Sequence, residues 1–65
     1  MKLGSSWTLL SRSKPRVNRP VYLMGKDGKV EVGIRYYNSE FRQYMYRMNW
    51  GGENDGSYVY AWKYV

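Results

Sequence analysis

From Val21 onward, apolar side chains recur at alternate positions in short runs that are separated by segments rich in glycine, asparagine, aspartate or serine. A two-residue period is the mark of half-buried strands, and short runs divided by turn signals point to an antiparallel meander, not to alternating strands and helices. The runs are Val21 to Met24, Val30 to Tyr37, Phe41 to Trp50 and Ser57 to Val65, with Trp7 to Ser11 as a further short strand. The expected fold is therefore one all-β domain over residues 1–65, a small antiparallel meander of four or five strands curled into a partly open barrel.

The turns set registers that the structure can test. Asp27-Gly28 suits a two-residue hairpin loop because both residues tolerate positive φ. Lys26 would then oppose Lys29, Leu23 would oppose Val32, and Val21 would oppose Ile34, so that Val30, Val32 and Ile34 share the core face of Val21 and Leu23. A three-residue loop at Asn38-Ser39-Glu40 would set Tyr37 against Phe41, Ile34 against Tyr44 and Glu31 against Arg47. It avoids the Arg35–Arg42 pair that a shorter loop would bring together.

One segment reads two ways. Ser39 can cap a helix that carries Phe41, Tyr44, Met45 and Met48 on one face, which would make the fold α+β with residues 39–49 helical. Strand is favoured because the same stretch alternates, is rich in aromatics and stops at Gly51-Gly52.

Composition then narrows the chemistry. The chain has no cysteine and no histidine, which excludes disulfides, Cys/His metal sites and imidazole or thiol catalysis. No carboxylate spacing identifies an acid-base pair, and the glycines match neither a dinucleotide fingerprint nor a phosphate-binding loop, so no enzyme activity, cofactor or metal is expected. No apolar run approaches the length of a membrane span, and the first ten residues are too short and polar for a signal peptide, so a cytoplasmic protein away from membranes is expected.

Charge supplies the first functional hint. The net charge is +6, and residues 1–24 carry Lys2, Arg12, Lys14, Arg16 and Arg19 with no acid. Pro15 and Pro20 keep residues 12–20 out of a central strand, leaving a basic arm or loop suited to a phosphate backbone. Lys26 and Lys29 flank a turn and serve solubility. Arg35, Arg42 and Arg47 lie among aromatics, where cation-π packing or phosphate contact is available.

The terminal run places Tyr58, Tyr60, Trp62 and Tyr64 at alternate positions. With Trp50 opposite Ser57, the four rings would share one face with Arg35 and Arg47, forming a basic stacking surface. A one-residue slip would turn them into the core. Both faces of this part of the sheet are apolar, so curling, a covering segment or homo-oligomer formation is needed to shield one of them.

The leading expectation is a small DNA- or RNA-binding or nucleic-acid-associated protein. Its phosphate contacts would be Arg12, Lys14, Arg16, Arg19, Arg35, Arg42 and Arg47, with stacking on Tyr58, Tyr60, Trp62 and Tyr64. The alternative is a protein-binding inhibitor or accessory module that uses the aromatic face or an exposed strand edge.

Overall fold

A computed structural model of the chain describes residues 6–65. Lys2 and the start of the segment weighed as a signal peptide lie outside the described residues. The strands are β1 (Thr8–Leu9), β2 (Val21–Gly25), β3 (Val30–Asn38), β4 (Gln43–Met48), β5 (Glu53–Asn54) and β6 (Val59–Tyr64). They form one antiparallel sheet in the order β1-β6-β2-β3-β4-β5. The all-β antiparallel expectation holds: β1 falls within the strand expected at residues 7–11, and the sixth strand is the two-residue β5 inside the glycine-rich segment expected as a loop.

Residues 39–49 are not helical: a turn over 39–42 leads directly into β4. The turn starts as a helix would, with the Asn38 side-chain oxygen accepting from the amides of Glu40 and Phe41. Arg42 then adopts a left-handed conformation (φ 54°), which ends the turn and sends the chain back as a strand. The loop is thus one residue longer than expected, and β4 is displaced along β3. Tyr37 faces Tyr44, Arg35 faces Tyr46, and Ile34, not Glu31, faces Arg47.

The β2–β3 hairpin also corrects its expected register, by one residue. Only Gly28 has positive φ (87°), and its amide donates to the Gly25 carbonyl while the Gly25 amide donates to Lys29. This is a tight turn followed by a left-handed glycine, which uses three loop residues, and the Asp27 carboxylate fixes it by accepting from the Lys29 amide. Val21 therefore pairs with Gly33 and Leu23 with Glu31. Val30, Val32 and Ile34 turn to the face opposite the core, contrary to the expected pairing.

The largest departure concerns β6. It does not lie beside β4, as Trp50 opposite Ser57 would require, but enters between β1 and β2. Glu53–Asn54 turns back onto β4 within the glycine-rich segment. Gly56 (φ 92°) carries the chain onward, and a Cβ built on it would lie 2.9 Å from the Tyr46 ring and 3.7 Å from Leu10. Residues from β4 and from just after β1 therefore meet at this glycine, where no side chain would fit.

A bulge then breaks the alternation of β6. Met24 faces Ala61 while Gly25 faces Val59, leaving Tyr60 as the extra residue. Val59 and Trp62, three positions apart, consequently both enter the core with Val21, Leu23, Tyr46 and Met48, and Leu10 packs against this cluster. Gly33 permits close approach beneath it, since a Cβ there would sit 2.5 Å from the Arg47 carbonyl oxygen.

Candidate nucleic-acid interface

The basic segment is docked along its length. Pro15 is fully buried, and its carbonyl accepts from the Arg35 guanidinium at 3.2 Å. The Asn18 amide donates to the Arg35 carbonyl at 2.7 Å, and Val17 forms a parallel bridge with Arg35. The Trp62 indole donates to the Ser13 carbonyl, and the Arg16 amide donates to the Tyr64 hydroxyl. A chain interrupted by two prolines cannot form a full ladder, so these separate contacts satisfy the backbone instead.

This docking displays charge along a defined path. Arg12, Lys14, Arg16 and Arg19 are exposed. Arg19 lies 4.3 Å from the centre of the Tyr64 ring, and Lys14 donates to the Leu10 carbonyl. On β3, Arg35 packs 4.1 Å from the centre of the Tyr44 ring, which meets Tyr37 edge to face. Arg42 is exposed in the β3–β4 turn. Arg47 belongs elsewhere: it sits over Tyr36 and pairs with Glu53 at 3.6 Å, while the Tyr36 hydroxyl donates to the same carboxylate.

The four terminal rings do not share one surface. Trp62 is 5% exposed and belongs to the core, with Tyr64 edge-on to it. Tyr58 covers Gly25 and donates to Asp27 at 2.7 Å. That hydrogen bond is the chief cause holding the Asp27 carboxyl below its ordinary range and raising the Tyr58 phenol, with the Lys29 amide next in importance for Asp27. Tyr60, at the bulge, and Tyr64 remain partly accessible. The bulge and the new strand neighbours break the alternation on which both expected registers, rings on one face or rings in the core, depend.

The sheet's second face is tiled by aromatics and cations. Lys63 lies 4.8 Å from the Trp7 ring centre and 5.7 Å from that of Tyr22, and Arg47 covers Tyr36. Glu31, expected beside Arg47, instead accepts from the Trp50 indole.

Two residues outside the expected set join the basic side. Tyr44 supports Arg35, and Tyr46, 3% exposed, carries a buried hydroxyl with no hydrogen-bond partner among the described residues. Burial pushes the Tyr46 phenol up, and the positive charge of Arg35 opposes that shift. The capping potential of Asn38 was the one available sequence signal for the longer loop that brings Tyr44 and Tyr46 onto the face of Arg35. No family model, curated protein or solved structure matches this chain.

Proposed function

We propose that this is a small nucleic-acid-associated protein, in which the docked segment at residues 12–20 presents cations to phosphates and partly exposed tyrosines supply stacking. The carrying observation concerns charge. Of Arg12, Lys14, Arg16, Arg19, Arg35, Arg42 and Arg47, only Arg47 has a carboxylate partner among the described residues. Unpaired cations fixed to a scaffold are suited to displacing counterions from a nucleic-acid backbone. In this reading Tyr44, Tyr60 and Tyr64 take over the stacking role expected of all four terminal rings. The sheet acts as a curled, partly open barrel whose two ends approach at Gly56, which holds the basic segment across its core face.

The test is a salt titration of oligonucleotide binding by the protein and by the triple variant Arg12→Glu, Lys14→Glu, Arg16→Glu. Affinity should fall steeply with salt, and the variant should bind more weakly to every sequence with a shallower salt slope. Salt-insensitive affinity that survives the substitutions excludes the reading.

A protein-binding module is the second reading, supported by two large apolar side chains at loop tips, Trp50 at 72% and Phe41 at 61% exposure. It predicts a stoichiometric protein partner whose retention resists nuclease and is lost on Trp50→Ala.

A further inference from the structure

Beside the docked segment lies a cleft of about 300 Å³, bordered by Lys14, Arg35, Tyr44, Tyr46, Asp55 and Ser57. Its chemistry is uneven. Two cations face one acid, and that acid is engaged: Asp55 accepts from the Ser57 amide at 2.9 Å, which with the Ser57 side chain holds its carboxyl below the ordinary range. Lys14 uses one of its three donors on Leu10, and Arg35 uses one of its five on Pro15. Tyr46 lines the same cleft; its hydroxyl is buried beside Arg35, which can only donate, and among the described residues no acceptor takes the Tyr46 O–H. A buried donor in that position is destabilising unless an acceptor completes it.

We propose that this cleft is a phosphate-binding subsite, in which a phosphate oxygen accepts the Tyr46 O–H while Arg35 and Lys14 balance the charge. An anionic acceptor answers both features together: it supplies the missing partner of a buried donor and the counter-charge of two cations. The Tyr44 ring, 47% exposed and backed by Arg35, borders the opening and gives a neighbouring base a surface to stack on. The proposal rests on the nucleic-acid reading for the source of the phosphate, whereas inorganic phosphate carries the same binding chemistry.

The experiment follows arginine side-chain and backbone resonances by NMR during titration with sodium phosphate, at ionic strength matched by sodium chloride. It is repeated with short single strands that carry either a 5′-phosphate or a 5′-hydroxyl. Phosphate should move the signals of Arg35, Gly56 and Ser57 selectively. Tyr46→Phe should weaken that response about tenfold, as expected for loss of one hydrogen bond to a charged acceptor. Its melting temperature should hold or rise, since the variant removes an unpaired buried hydroxyl. Lys14→Gln, on an exposed side chain, should weaken phosphate binding severalfold without altering stability.

An equal phosphate response in Tyr46→Phe and the unaltered protein overturns the subsite, as does a shift spread over all the basic residues. If single strands bind with a steep salt dependence while the cleft ignores phosphate, the subsite fails and the nucleic-acid reading stands. If inorganic phosphate fills the cleft but neither strand binds, the subsite stands and its assignment to nucleic acid fails. Tighter binding of the 5′-phosphorylated strand assigns the cleft to a strand end, and equal binding of both strands with cleft shifts assigns it to an internal phosphate.

Discussion

The Trp62 indole donates to the Ser13 carbonyl at 2.8 Å, so a ring expected to stack on a ligand instead ties the basic segment to the core. Trp62→Ala removes both the core volume and this tie, at a cost of about 3–5 kcal/mol. A core in a chain this small supplies roughly the same amount, so the variant should be unfolded in the absence of denaturant. Trp62→Phe keeps most of the packing and should remain folded, with a loss of about 1–2 kcal/mol in urea denaturation followed by circular dichroism.

Glycine substitutions should separate by what they strike. Gly33→Ala drives a methyl toward the Arg47 backbone carbonyl and should cost about 1–3 kcal/mol. Gly52→Ala meets the Trp50 ring first, an exposed side chain that can move at the expense of its hydrogen bond to Glu31, so its loss should stay within about 1 kcal/mol. Thermal melts of the two variants make the comparison.

The Tyr58–Asp27 hydrogen bond predicts two pH limbs. Asp27 is held below its ordinary value of 3.8, so its contribution is complete above that value and is lost as pH falls through the lowered one. Tyr58 is raised above its ordinary value of 10.0, so its contribution is complete below that value and is lost as pH rises through the raised one. Tyr58→Phe should flatten both limbs in denaturation midpoints measured across pH. Limbs of unchanged steepness in the variant would assign the pH dependence to other groups.

The docked segment should show its contacts in hydrogen exchange. Asn18 donates to the Arg35 backbone and should exchange slowly, whereas Arg16 depends on the Tyr64 hydroxyl. Tyr64→Phe should speed exchange at Arg16 by roughly two- to tenfold, the scale of one hydrogen bond, and leave Asn18 unchanged.

Strand class and the main turns were legible because period-two alternation and glycine placement act locally. The registers were not. Asp27-Gly28 supports both two- and three-residue loops, and the choice fell to the one residue with positive φ, Gly28. The place of β6 was less accessible still, since nothing local distinguishes pairing with β4 from pairing with β2. The decision rests on burying Val59 and Trp62 together, which the bulge at Tyr60 permits. For the candidate site, residue type picks out the cations, of which Arg12, Lys14, Arg16, Arg19, Arg42 and Arg47 are exposed and Arg35 is half-buried, but their aromatic neighbours follow from register, so Arg35–Tyr44 became visible only with the sheet assembled.

The strand order has a kinetic consequence. β6, the last strand in chain order, occupies an interior place between β1 and β2, so the sheet cannot be completed by adding strands in the order of the chain. The β2–β3–β4 hairpins can form early, but Leu23 and Val21 wait for a partner separated by some forty residues of chain. Such distant closure places refolding on the scale of milliseconds to seconds, and until it occurs the bare edge of β2 is the surface most open to pairing with another chain.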